Sequence, residues 1–115
     1  MSFGDSIKTC FSKIIDFNGR ARRSEYWYFR VFVVVISIII SAILGQENQI
    51  ASIFSLLLSI ASWSVEVRRL HDIGRSGWWV LLDLVPVVGW IILLVWLIRD
   101  SDPGENQYGP NPKGL

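Results

Sequence analysis

The sequence predicts an all-α integral membrane protein, made of a short N-terminal amphipathic helix and three transmembrane helices. The main observation is three long apolar stretches, at 26–44, 50–65 and 78–98. A bilayer core of about 30 Å needs roughly 20 helical residues, so each stretch is about long enough to cross it. The composition agrees, because 51% of the 115 residues are hydrophobic and six are tryptophan, which is typical of the membrane class.

The first segment, residues 1–19, is predicted to hold an amphipathic helix over residues 3–17. Its apolar residues recur at spacings of three and four: Phe3, Ile7, Cys10, Phe11, Ile14 and Phe17. Ser2 and Asp5 resemble an N-terminal capping pair, and Asn18-Gly19 is a plausible stop. A helix of about four turns is too short to span a bilayer, so it either lies in the membrane interface or packs on the spans. Cys10 is the only cysteine, which excludes an internal disulfide.

The three-helix transmembrane domain is assigned to residues 20–98. We expect the first span to run from Ser24 to Gly45. The second is expected to begin near Asn48 and to continue to about Asp72, where Gly74 stops it.

The third span follows Gly77 and contains Pro86, so a kink is expected near Leu82–Pro86. Two crossings are not expected there, because each half would have only about 8 to 10 residues. Residues 99–115, with three prolines and three glycines, are predicted to form an irregular polar tail.

Lysine and arginine are distributed unevenly along this arrangement. Eight lie in the N-terminal segment and in the second loop, against two in the first loop and the tail together. The positive-inside rule then predicts a multi-pass protein with a cytoplasmic N-terminus and a C-terminal tail outside.

Two charged residues, Arg30 and Asp83, interrupt the first and third stretches. Each lies five residues inside its span from the same side, a depth of about 7.5 Å at 1.5 Å per residue. A charge at such a position is costly unless it is paired or hydrated. Two interpretations follow: a buried pair that holds span one against span three, or a proton or ion site.

Two stretches on the predicted cytoplasmic side share one layout, in which arginines precede aromatic residues and an apolar helix. They are Phe17–Trp27 and Arg68–Trp79. Aromatic side chains favour the headgroup level, and arginine binds phosphate through two hydrogen bonds. We therefore predict a lipid- or anion-binding rim formed by Arg20, Arg22, Arg23, Arg68, Arg69 and Arg75. The second stretch also holds a loop motif of mixed chemistry, with members His71, Asp72, Gly74, Trp78 and Trp79.

These motifs resemble those of the bacterial inner-membrane proteins grouped as domain of unknown function 805. The resemblance is carried by a GRxxRxEYW-like element before the first span and an RRLHDxGRSGWW-like element before the last. A tail element is matched by Gly104, Asn106, Tyr108 and Gly109. The sequence departs from the family pattern at Arg22, where a small hydroxyl residue is common, and at Ser101, where glycine is common. The resemblance implies a location in the bacterial inner (plasma) membrane and implies no reaction.

Enzymatic activity is not expected. His71 and Asp72 are neighbours, so on a helix their side chains point about 100° apart, and no nucleophile–base–orienter set is apparent. A structural or pH-switch role suits His71 better.

One histidine and one distant cysteine make no metal site, and no phosphate-binding glycine loop suggests a cofactor. The basic residues lie beside spans, which indicates lipid and not nucleic acid.

The sequence thus favours a non-catalytic membrane module whose arginine rim binds anionic lipid headgroups or a partner protein. The alternative is a small oligomeric channel or transporter. In that case Arg30, Asp83 and a stripe of serines in span two would line a polar path, and the serines are Ser52, Ser55, Ser59 and Ser62. Small residues on one helix face also permit close helix approach, so a homo-oligomer or a membrane-protein partner is expected.

Overall fold

The computed structural model describes residues 2–45 and 48–112. This part of the chain is helical, and its elements are α1 (Phe3–Ser12), α2 (Arg23–Leu44), α3 (Gln49–Asp72), a 3₁₀ helix (Gly77–Leu84) and α4 (Val88–Leu97). Met1, residues 46–47 and residues 113–115 belong to the predicted N-terminal segment, first loop and tail, and they lie outside the described residues.

Helix α1 starts where its capping signal predicts. The Ser2 hydroxyl accepts from the Asp5 backbone N–H, and the Asp5 carboxylate accepts from the Ser2 N–H. The helix ends at Ser12, earlier than expected. It packs on the start of α2, where the Ser6 hydroxyl donates to the Glu25 carbonyl over 2.5 Å. Of the two interpretations of this segment, packing against a span is the one that this contact supports.

Helices α2 and α3 are long and apolar enough to cross a membrane, and their bounds match the predicted spans closely. The Asn48 side chain caps α3 by accepting from the N–H groups of Ile50 and Ala51. Beyond the other end, Gly74 adopts a φ of +78°, a conformation that glycine reaches without strain. Most valine and isoleucine side chains along α2 are exposed, as expected of a surface that faces lipid.

The third apolar stretch does not form one helix, and the prediction of a third transmembrane helix is not confirmed. Residues 77–97 form a helical hairpin: the 3₁₀ helix leads away from the end of α3, and α4 leads back. A Cβ on Gly77 would lie 2.6 Å from Val67, and the Leu97 carbonyl accepts from Arg69 Nε at 3.2 Å. Both ends of the hairpin therefore meet the same part of α3.

The hairpin reverses at Pro86, with a break in place of the expected kink. The Val88 N–H donates to the Pro86 carbonyl over 2.8 Å, and Val87 between them has a φ of +66°. Each half is short: eight 3₁₀ residues rise about 16 Å and ten α residues about 15 Å. Neither half would cross a core of about 30 Å, so the hairpin reaches only about half its depth.

The tail consequently lies at the same end of the molecule as the N-terminal segment. The Asp102 N–H donates to the Asp72 carbonyl over 2.9 Å, and Arg20 binds the Asp102 carbonyl at 2.8 Å. These contacts do not support the predicted separation of the two segments to opposite sides, which depends on a third crossing. We refer to this shared end, where α2 begins and α3 ends, as the charged end.

Candidate functional site

Arg20 is the centre of the charged end. Its guanidinium donates from Nε to Asp72 Oδ1 at 2.8 Å, and from Nη2 to the Asp72 and Asp102 carbonyls at 3.1 and 2.8 Å. Nη1 donates to the carbonyls of Gly104 and Gly109 at 2.8 and 3.1 Å. The side chain is 1% exposed. This one planar guanidinium therefore joins the first motif (Phe17–Trp27), the second motif (Arg68–Trp79) and the tail motif (104–109).

Arg68 and Arg69 are also enclosed by protein. Arg68 pairs with Glu25, and Arg69 Nη1 lies 2.6 Å from Asp72 Oδ2; both arginine side chains are 0% exposed. Together with Arg20 these residues form what we call the ionic cluster. Half of the predicted rim is thus buried in protein, where the carboxylates of Glu25 and Asp72 answer its charge. The Ser101 hydroxyl, at a position where the chain departs from the family pattern, donates to Asp72 as well.

Cys10 lies against the ionic cluster, 3.9 Å from the Glu25 carboxylate. Burial, with a smaller contribution from the Glu25 charge, raises the pKa of its thiol to about 12. The thiol is therefore protonated and unreactive at neutral pH.

The loop motif is structural in its contacts. The His71 ring stacks on Tyr108 with centroids 3.9 Å apart, and His71 Nδ1 lies 2.9 Å from the Gly19 carbonyl. A Cβ on Gly74 would lie 2.6 Å from Asp102 Oδ2, so glycine is needed there to admit the tail. The tail motif, whose role the sequence left open, packs against the second motif.

The remaining members of the predicted rim are nearer the surface. Arg23 is exposed and lies 3.6 Å from Asp100. Arg75 places its guanidinium 4.0 Å from the centre of the Trp96 ring, and Trp96 in turn meets Trp79 edge to face. Trp78 is 78% exposed. The Nε atoms of Arg22 and Arg75 have no partner in the described part of the protein.

A second region lies between α2, α3 and the hairpin, which together line a half-open cavity of about 710 Å³. We call it the cavity. Arg30 of α2, Glu66 of α3 and Asp83 of the 3₁₀ helix all line it. Leucines of α4 and three tryptophans supply apolar and aromatic walls, the latter being Trp27, Trp63 and Trp90.

The structure brings Arg30 and Asp83 to the same cavity but does not pair them directly. Among residues 2–45 and 48–112 no ion pair within 4.0 Å joins the two, so the predicted direct pair is not formed. A second carboxyl group, that of Glu66, lines the same cavity as Asp83. Sequence reasoning missed Glu66, because it lies after the apolar run of span two. The predicted helix, which continues to Asp72, contains Glu66, and this could have identified Glu66 as a third charged residue of the membrane segments.

The serine stripe of α3 also faces the cavity. Ser55, Ser59 and Ser62 line it, joined by Ser37 of α2. Ser62 is 9% exposed, and its hydroxyl has no hydrogen-bond partner in the described structure. A buried polar group without a partner is rare in proteins and requires an explanation. Ser52, the remaining serine of the stripe, is exposed and donates to the Asn48 carbonyl.

Chemically, the cavity offers hydroxyl groups, two carboxyl groups and one guanidinium within otherwise apolar walls. That set suits binding a small polar or charged species. In the described part of the chain, no group of three or more His, Cys, Asp or Glu side chains is arranged to hold a metal ion.

Comparisons with known proteins agree with the motif resemblance. The family described as "Protein of unknown function (DUF805)" matches residues 14–110. "Inner membrane protein YhaH" of Escherichia coli K12 is 38% identical over 107 residues, covering 86% of this chain and 88% of its own. "Inner membrane protein YhaI" of the same strain is 42% identical over 103 residues, covering 86% and 87%. No solved structure matches the chain.

Proposed function

Because this chain belongs to the DUF805 family of proteins of unknown function, we propose a function from its own cavity: an inner-membrane protein that binds a small polar or charged solute within the bilayer. This places it in the channel or transporter class, without chemical conversion of the solute. One chain lines the cavity with α2, α3 and the hairpin, so an oligomer is not needed to form it.

The membrane arrangement we propose has α2 and α3 as spans and the charged end in the cytoplasm. Two similar proteins are named inner membrane proteins, and both helices are long enough to cross. With the tail at the charged end, nine of the eleven lysines and arginines lie in described segments at that end, and the first loop has none. The other two are Arg30, inside α2, and Lys113, which lies outside the described residues. The positive-inside rule is satisfied better by this arrangement than by three crossings.

The observation that carries the proposal is the meeting of three ionisable side chains in one cavity at membrane depth. Arg30, Glu66 and Asp83 come from three different elements. An ionisable residue inside a membrane segment indicates a functional site. A broken helix at that depth is tolerated where it is buried in protein or lines a water-filled cavity, and such discontinuous helices form the binding sites of many transporters.

Thiol labelling of a cysteine placed in the cavity tests whether water and solute reach it. In lipid nanodiscs, S59C should react with a small charged methanethiosulfonate reagent, because both the thiolate and the reagent need water. L56C is the matched control: Leu56 is 61% exposed but does not line the cavity. It should not react, since it faces lipid. The wild-type protein, whose only cysteine is buried, is the blank. Equal reaction at both sites, or none at S59C, would contradict the proposal.

A second candidate function, anionic-lipid binding at the charged end, is supported by a groove of about 450 Å³. Arg23, Ser24, Trp27, Tyr28 and Ile98 line it. A basic group beside aromatic residues suits a headgroup at the interface. The arginines available for this role are Arg22, Arg23 and Arg75, since the other three are enclosed. Native mass spectrometry from mixed lipid should then retain phosphatidylglycerol, and R23Q should weaken its retention.

A further inference from the structure

We propose that the occupant of the cavity is one monovalent cation, held between the carboxyl groups of Glu66 and Asp83. This inference rests on the proposed function and deepens it, because it names the class of solute. The cation is either a proton or an alkali-metal ion. Both bind to carboxyl oxygens, and the experiment distinguishes them.

The charge of the site selects the sign and size of the occupant. Two carboxyl groups, of Glu66 and Asp83, and one guanidinium, of Arg30, line the cavity together. With both carboxyl groups ionised, these three side chains sum to one net negative charge. In surroundings of low dielectric, uncompensated charge is costly. One monovalent cation brings the sum to zero, whereas an anion would double the imbalance and a divalent cation would reverse it.

The oxygen atoms available also suit a cation. Carboxylates and hydroxyls are the ligands that hard cations prefer. The buried Ser62 hydroxyl, which has no protein partner, lines the same wall of α3 as Glu66, one helical turn away. A cation at the carboxyl pair would give this hydroxyl the partner that the protein does not provide.

The other ionisable groups near the pair are few and can be named. From α2 they are Tyr26 and Arg30, and Tyr26 is buried against Glu66. From α3 and the 3₁₀ helix they are Glu66 and Asp83 themselves. Helix α4 contributes only Trp90, Leu93, Leu94 and Leu97 to the wall. Among the described residues, these are the groups to which a dependence on pH or sodium at this site is assigned.

The experiment follows the fluorescence of the tryptophans in the cavity wall, using the whole protein in lipid nanodiscs. In the first arm, Na⁺ or K⁺ replaces N-methylglucamine at constant ionic strength and pH. In the second, pH is varied without alkali metal. A saturable response in the first arm assigns an alkali-metal ion, and a response only in the second assigns a proton. Both support the proposal, provided that E66Q and D83N each abolish the response and E105Q, which changes an exposed carboxylate of the tail, does not.

Two further variants keep the test decisive if a carboxyl variant fails to fold. S62A should weaken cation affinity by about 2- to 10-fold, the range for one lost hydrogen-bonding group. R30Q should strengthen it by about 10-fold or more, because a competing positive charge is removed. Misfolding does not produce tighter binding.

A response to chloride or phosphate that R30Q removes would overturn the cation assignment and leave the proposed function standing. No response to any ion while S59C is labelled would do the same. No response together with an unlabelled S59C would overturn both.

Discussion

At the scale of single residues, burial decides whether an arginine beside a span binds lipid or binds other groups of the protein. A sequence count places six arginines beside the membrane, yet Arg20, Arg68 and Arg69 are enclosed within the ionic cluster. Their partners include residues up to 89 positions away, as in the bond from Arg20 to the Gly109 carbonyl. Proximity to a span was predictable from the sequence. The partners were not, because they depend on where the tail returns.

Replacing Arg20 should destabilise the protein strongly. R20Q removes the charge opposite Asp72 and the charge-assisted hydrogen bonds to four backbone carbonyls, and loss of one partner of a buried pair costs about 3–5 kcal/mol. R20K should be nearly as harmful, since an ammonium does not reproduce the planar fork. Thermal unfolding in detergent, followed by circular dichroism, measures the effect. R99Q changes an exposed arginine nearby and should shift stability by no more than about 0.5 kcal/mol. An unfolding midpoint of R20Q equal to that of wild type would show that the fork is dispensable.

At the scale of elements, the hairpin is the feature that hydropathy alone does not resolve. The third stretch has 21 residues, most of them apolar, and by composition it suits one crossing or two half-crossings equally well. Local signals predicted α3 correctly, because Asn48 and Gly74 mark its ends. Pro86 and Gly89 marked the break in the third stretch, but the reversal is fixed by distant contacts. These include the bonds from Arg69 and Trp27 to the Leu97 carbonyl, at 3.2 and 3.1 Å.

The close approach of the two halves of the hairpin depends on Gly89. A Cβ at this position would lie 2.0 Å from the Leu82 carbonyl oxygen, and backbone cannot yield as a flexible side chain does. We expect G89A to lower the free energy of unfolding by about 1–3 kcal/mol, the usual range for overpacking. G4A is the matched control, because a Cβ on Gly4 meets nothing within 4 Å. Chemical denaturation in detergent compares the two, and similar midpoints would argue against the tight hairpin.

At the scale of the whole molecule, the two long helices and the hairpin bring both terminal segments, as far as the structure describes them, to one end. All three family motifs meet there, so residues 20–27, 68–79 and 104–109 form one structural unit. The cavity lies beside it, toward the middle of the membrane segments. The sequence predicted the charged residues Arg30 and Asp83 and the serines that line it, but not the neighbour, Glu66, that defines its charge.

This arrangement predicts that both termini face the cytoplasm. A reporter that fluoresces only in the cytoplasm, fused after residue 115, should give bright cells, as should the same reporter fused before residue 1. A fusion placed in the loop between α2 and α3 is the dark control, because that loop lies on the opposite side. Dark cells from the C-terminal fusion would contradict this arrangement and favour a third crossing.

The dependence of Arg20 on residues 72, 102, 104 and 109 has a consequence for biosynthesis. The ribosome makes this arginine early and its last acceptor some 89 residues later. Until then, in the proposed arrangement, its charge stays in water at the cytoplasmic face, and the far end of the segment 77–97 is anchored only by the bonds from Arg69 and Trp27 to Leu97. The charged end is therefore completed only after translation has passed the tail motif. Chains truncated before residue 102 should insert the same segment in a different way from the full-length protein.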